Sequence, residues 1–164
     1  MEIITALNTS AVPLLKRNEI PDEINNLRMG EAVFCGYNTT FSEKIEGFNR
    51  DTFELKAEIV EIKNKPSKPN GTCLADFSGN VPKFEDKGIR KRAIIAIGNE
   101  DINITGITPK NEAISVVGGC SDYTVLDITE SEKDYQVGDI VSFRMNYVSI
   151  LKAMISKFVE KNVI

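Results

Sequence analysis

The chain has 164 residues, of which 41% are apolar and 27% charged, and a formal net charge of −4. That balance supports one packed domain with an added arm. It excludes a disordered chain, and it argues against nucleic acid or an anionic membrane surface as the main partner. There is no histidine and no tryptophan, which removes Ser-His and Cys-His nucleophilic machinery and most zinc sites; any proton must be carried by Tyr, Lys, Cys, Asp or Glu.

Residues 2–7, Glu-Ile-Ile-Thr-Ala-Leu, read as a short buried strand. Asn8-Thr9-Ser10 follows, with Ser10 suited to cap a helix over Ala11–Asn18 and Pro13 tolerable in its first turn. The same turn, at the end of a strand, suits a phosphate or carboxylate, and helix capping is the competing reading. Ile20-Pro21-Asp22-Glu23 breaks the chain, and Glu31–Cys35 reads as a second short strand ended by Gly36. Strand, polar turn, helix and strand make a βαβ-like pattern that is too short to close on itself. Just before that second strand stand Arg28, a permanent cation, and Gly30, which lets backbone approach a neighbour closely. They suggest the edge of a ligand site, against a plain surface arginine and a turn.

Beyond about Arg50 the texture changes. Phe53–Ile59 alternates strictly, as a half-buried strand does, and a bulge is expected near Ile59–Val60. Residues 64–89 are rich in Pro, Gly, Asn and Lys and form a long loop of the kind that often carries function. Further strands are expected at Arg92–Ile97, Ile114–Val117, Tyr123–Ile128 and Ile140–Met145. Short strands with regular turn signals indicate a small β-barrel or sandwich. Val148, Leu151, Ile155 and Phe158 share a face in a helix over 148–159.

Lys63, Lys65 and Lys68, then Lys87, Arg90, Lys91 and Arg92, form basic clusters without interleaved aromatics and read as solvated loop and strand ends. Asp127, Asp134 and Asp139 read as a solvated acidic rim that matches no calcium loop, and no metal site is expected. Asp122, in Cys120-Ser121-Asp122, either caps a turn or orients a ligand ammonium. Tyr147 either plugs a barrel end or serves a site. Cys35, Cys73 and Cys120 are odd in number and far apart, which suits reduced thiols in a cytoplasmic protein. The start of the chain carries Glu2 and lacks a basic leader region, and no apolar run approaches 18 residues, so neither a signal peptide nor a membrane span is expected.

Pro21–Gly36, Ile62–Pro69, Val81–Ala93 and Tyr135–Asp139 together resemble the C-terminal part of the alanine racemase family of pyridoxal-phosphate enzymes, and within it the ornithine racemase branch. The resemblance runs over essentially all 164 residues. It implies a mainly β fold: residues 1–48 as a βαβ-like remnant of the last strands of a (β/α)₈ barrel, then residues 49–164 as the racemase C-terminal β domain with a C-terminal helix. A complete barrel of that kind takes about 250 residues.

The resemblance also implies site residues. Thr9 and Ser10 look like the hydroxyls that contact the cofactor phosphate, although Ala6-Leu7 stand where small, glycine-type residues are expected. Arg28 resembles the arginine facing the pyridine nitrogen, Gly30 the glycine whose backbone approaches the phosphate, and Tyr147 the tyrosine that reaches the phosphate from the β domain. Asp122 resembles the substrate-side aspartate contributed by a neighbouring subunit. The loop that carries a catalytic tyrosine in alanine racemases has none here; Asp76 is the preferred alternative, with Cys73 behind it. No lysine matches the family's Schiff-base lysine, so covalent attachment of pyridoxal 5′-phosphate is not expected in this chain. The implied activity is interconversion of L- and D-amino acids, ornithine first, by a cytoplasmic isomerase. The chain alone is expected to be inactive and to need complementation by a barrel half. A non-catalytic remnant, and a module that pairs with a full-length racemase, are the alternatives, with a homodimer equally open.

Overall fold

The computed structural model describes residues 2–75, 79 and 81–163. A short parallel pair opens the chain, β1 (Thr5–Ala6) beside β2 (Asn26–Leu27), with Thr5 opposite Asn26 and Ala6 opposite Leu27. Between them lie a single 3-10 turn, Thr9–Ala11, and helix α1 (Val12–Lys16). Asn8 caps this start, its Oδ1 accepting from the Ser10 amide at 3.0 Å. The expected cap was Ser10. Asn8 takes the role because its longer side chain reaches the amide two residues on while its own backbone stays extended. Pro13 sits in the first turn, where it removes no hydrogen bond.

Glu31–Cys35 is a helix, α2, and not the expected strand. A five-residue apolar run has no period to read, and here Gly30 at its start, Glu31 in its first turn and left-handed Gly36 at its end favour one helical turn. The second strand of the βαβ pattern therefore lies at β2, and Arg28 follows a strand instead of opening one. A hairpin of β3 (Tyr37–Asn38) and β4 (Glu43–Lys44) completes the arm. Gly36 cannot carry a side chain there, because a Cβ would lie 2.6 Å from the Asn49 carbonyl oxygen.

The second part is one six-stranded antiparallel sheet: β5 (Leu55–Pro66), β6 (Ile89–Ile95), β7 (Ile107–Pro109), β8 (Ser115–Gly119), β9 (Thr124–Asp127) and β10 (Ile140–Met145). Their order is β7-β10-β5-β6-β9-β8, and the two edges approach each other, so the sheet is nearly a closed barrel. Leu55, Ala57 and Ile59 alternate inward as the sequence predicts. The pairing of β5 with β6 slips between Ile59 and Glu61, at the expected bulge. Inside the barrel Ile59, Ile95, Ile102, Leu126, Val141 and Phe143 are fully buried. At about 25 cal/mol per Å² of apolar surface, each contributes roughly 1.5–3 kcal/mol, and this is the main term holding the domain.

Two surface readings change. Asp127 is buried, not solvated: its Oδ2 accepts from Arg90 Nε at 2.9 Å and from Arg92 Nη1 at 3.0 Å. Both arginines lie on β6, which faces Asp127 across the ladder. Helix α3 (Tyr147–Ile155) buries Ser149, Ile150 and Ala153, while Val148, Leu151, Ile155 and Phe158 remain exposed. No described helix is long and apolar enough to cross a membrane.

Candidate functional site

The parallel pairing of β1 and β2 sends both chains out of the same end of the little sheet, the end where ligands of parallel sheets bind. Leu7–Ser10 leaves β1 there and Arg28–Gly30 leaves β2. Leu7 takes φ +64, the left-handed region where glycine is at home. Of Ala6-Leu7, where the resemblance leads one to expect small residues, Leu7 is thus the position whose backbone favours glycine.

Thr9 is buried, and its Oγ1 accepts from the Ala32 amide at 3.1 Å. That bond ties the end of β1 to the first turn of α2 and leaves the hydroxyl proton available to a ligand. Ser10 Oγ lies 2.7 Å from Asn8 Oδ1 and donates to it. Gly30 has no room for a side chain: a Cβ would lie 2.6 Å from the hydroxyl oxygen of Tyr147 and 3.2 Å from its Cζ. This close approach brings the first residue of α3 onto the arm.

Tyr147 is held from several sides. Its ring stacks on Phe34 of α2, with centroids 6.2 Å apart and planes at 27°, and Phe34 meets Phe53 edge-on at 5.4 Å. Asn146 caps α3 by accepting from the Ser149 amide at 2.9 Å, and its own amide donates to the Gly106 carbonyl at 2.7 Å. Gly106 is required there, since a Cβ would lie 2.3 Å from Asn146 Oδ1.

Thr9, Ser10, Gly30 and Tyr147 thus form one group. Arg28 is exposed beside it and makes no ion pair among the described residues. Asp122 sits apart, exposed in the hairpin loop between β8 and β9, its amide 3.4 Å from Cys120 Sγ. Asp76 lies outside the described residues. Cys73 is half-buried. Cys35, the last residue of α2, is buried, and burial first, then the nearby Glu31 carboxylate, pushes its thiol up to about 11. It is a packing residue, protonated and inert near neutral pH. Phe34, which backs Tyr147, escapes the sequence reading because Glu31–Cys35 looks like a strand with no defined facing.

The fold is similar to that of solved alanine racemases. Alanine racemase from Acinetobacter baumannii superposes on 89% of this chain and 39% of its own, with TM-score 0.54 at 16% identity. The Oenococcus oeni enzyme covers 98% of this chain and 48% of its own, with TM-score 0.55 at 16% identity. The chain has the fold of that part of alanine racemase.

Two sequence relatives are more similar in sequence. "Ornithine racemase" of Acetoanaerobium sticklandii is 43% identical over all 164 residues, and "Lysine racemase" of Thermotoga maritima is 44% identical over 161 residues. These matches bear out the resemblance to this racemase family: the chain corresponds to the C-terminal part of such racemases, and it spans 46% and 45% of those two relatives' lengths. No protein-family model matches the sequence.

Proposed function

We propose that these residues form the C-terminal portion of a pyridoxal-phosphate-dependent racemase acting on a basic amino acid, ornithine or lysine. Residues 1–48 contribute the last barrel strands and residues 49–164 the β domain. The observation that carries this reading is the whole-length identity with an ornithine and a lysine racemase, joined to the grouping of Thr9, Gly30 and Tyr147 at the carboxyl ends of two parallel strands.

The residues present fit the phosphate end of the cofactor. Thr9 keeps a free hydroxyl proton, Gly30 lets backbone come close, and the Tyr147 hydroxyl abuts it from the β domain. Ser10 lies next to Thr9, but its one hydroxyl proton is donated to Asn8 Oδ1 and would have to turn from that acceptor to reach a phosphate. When bound, pyridoxal phosphate supplies the electron sink that makes the amino acid's Cα proton removable. Arg28 would hold the ring-nitrogen end of the cofactor, where a guanidinium disfavours protonation of that nitrogen and so limits side reactions. Asp122, set apart from that group in this chain, would line the substrate side of a neighbouring subunit's site, where a carboxylate suits an ammonium group. Asp76 transfers the proton on one face.

The Schiff-base lysine comes from a barrel segment outside these 164 residues. β1 and β2 have no further strand neighbours among the described residues, and Ile3, Ile4, Val33 and Phe34 around them are exposed. Parallel strands are normally paired and covered on both faces, so these edges suit that segment.

The test is complementation. The protein is mixed with pyridoxal phosphate, alone and together with the N-terminal barrel segment of the Acetoanaerobium sticklandii relative. A borohydride-fixed cofactor band and racemisation of ornithine or lysine are expected with the barrel segment and not without it. No racemisation with any barrel segment, or co-purification only with an intact racemase, defeats the proposal.

A further inference from the structure

Residues 49–54 join the hairpin of β3 and β4 to β5, and their side chains take two directions. Asn49 and Arg50 lie against the arm. The Asn49 carbonyl and Arg50 Cγ crowd Gly36, and the Arg50 guanidinium sits over the Tyr37 ring, 5.4 Å from its centroid. Asp51 and Glu54 turn to the barrel. Asp51 Oδ1 accepts from Arg144 Nε at 3.1 Å, Glu54 Oε1 accepts from Ser142 Oγ at 2.8 Å, and Lys110 Nζ donates to Glu54 Oε2. Phe53, between those two acids, turns back to the arm and meets Phe34.

These contacts close a circuit. Ser142 and Arg144 lie on β10, which runs through Asn146 straight into Tyr147. Tyr147 stacks on Phe34, Phe53 meets Phe34 edge-on, and the acids beside Phe53 return to β10. Phe34 is exposed and sits on a single helical turn, so the arm by itself does not fix its ring plane. An edge-to-face contact has a preferred geometry that a plain apolar contact lacks. Phe53 therefore sets the plane of Phe34, and Phe34 that of Tyr147.

We propose that Phe53 is a positioning residue for the phosphate end of the site: acting through Phe34, it orients the Tyr147 ring and brings its hydroxyl to Gly30. The functional part rests on the reading of Tyr147 as a phosphate contact. The orientation of the ring does not. Asp51 and Glu54 hold Phe53 to the strand that delivers Tyr147, so the wedge and the ring it orients share one support.

The experiment has two readouts. The first is the Tyr147 ring signal in the NMR spectrum of the free protein, assigned by its loss in Tyr147→Phe. In Phe53→Leu, which keeps apolar bulk and removes the ring edge, that signal shifts, while those of Tyr123 and Tyr135 in the β domain stay. Phe53→Tyr, which keeps the edge, leaves it in place. The second is the pyridoxal-phosphate affinity of the protein assembled with its barrel segment. Phe53→Leu weakens it about 2- to 12-fold, the worth of one aromatic pair. In the Tyr147→Phe background the same substitution changes it by less than about twofold, because no hydroxyl is left to misplace. Phe34→Leu, at an exposed site, gives both results should Phe53→Leu fail to fold. An unmoved Tyr147 signal, equal losses in both backgrounds, or no rescue by Phe53→Tyr overturns the proposal. A parent that binds no cofactor on assembly, or a Tyr147→Phe variant that binds as tightly as the parent, defeats the phosphate reading instead and leaves the ring shift standing.

Discussion

Adding one methyl group at Gly30 separates site geometry from stability. The backbone there sits at φ −96, ψ −65, open to any L residue. Gly→Ala in a compatible conformation stabilises by about 0.4–1 kcal/mol through the unfolded chain, and the loss of glycine at a helix N-cap, where it is preferred to alanine, costs about as much. The new Cβ would stand 2.6 Å from the Tyr147 hydroxyl oxygen, roughly 1 Å inside an ordinary contact near 3.5 Å. The tyrosine, half-buried and stacked on Phe34, must then pivot away. A hydrogen bond from its hydroxyl to a phosphate contributes about 1.5–3 kcal/mol, so losing it weakens binding about 10- to 100-fold. Thermal melting of Gly30→Ala is expected within a few degrees of the parent. Pyridoxal-phosphate affinity of the protein assembled with its barrel segment, read by fluorescence titration, falls to the level of Tyr147→Phe. An unchanged affinity in Gly30→Ala alongside a weakened Tyr147→Phe would refute the reasoning, because the close approach would then not position the hydroxyl.

Other outcomes follow from the ion pairs and the buried amide. Burial opposes ionisation of Asp127, yet hydrogen bonds from Arg90 and Thr129 and the charge of Arg92 outweigh it and hold its carboxyl down to about 2. A depressed carboxylate stabilises the fold fully above its unfolded pKa near 4 and loses that stability as pH falls toward 2; the contribution is roughly 2 kcal/mol. Denaturant melts of Asp127→Asn are therefore expected to be less stable near pH 7 and to lose the difference from the parent by about pH 2; a constant difference would sink the assignment. The Asn38 side chain is fully buried and neither its nitrogen nor its oxygen has a partner. Asn38→Val should raise stability by about 1 kcal/mol, and a loss of that size in chemical denaturation would mean the amide is satisfied by an internal water.

The sequence carried the barrel further than the arm. Strand β10 was legible to the residue because Ile140–Met145 alternates, and the bulge at Ile59 was legible because two strand phases collide there. Glu31–Cys35 was not legible, since one helical turn and one strand hold the same few apolar residues; only Gly36 in the left-handed region marks the difference. β7, Ile107–Pro109, escaped notice because three residues ending in proline carry no period. On α3 the apolar stripe pointed the reading the wrong way. The stripe is exposed, and the packed side buries Ile150 and Ala153 beside Ser149, Lys152 and Ser156, whose partners are the Asn103 and Asn99 carbonyls and the Asp101 carboxylate, far off in the chain. For the site, Thr9, Gly30 and Tyr147 are individually ordinary. Their convergence depends on a parallel pair and a helix cap that no local window contains, so resemblance to a family was needed to group them.

The two parts of the molecule are unequally anchored. The arm's own core is Val12, Ala32 and Ile45 with Met29 against them, beside a barrel core built from six strands. So small a cluster makes the arm the first part to open, with amide exchange in residues 2–48 far faster than in β5 or β10. On the proposed reading of Thr9 and Gly30 as cofactor contacts, binding energy there is spent partly on ordering the arm itself. A ligand or barrel segment that engages it raises the arm's local melting point while the β domain's stays where it was.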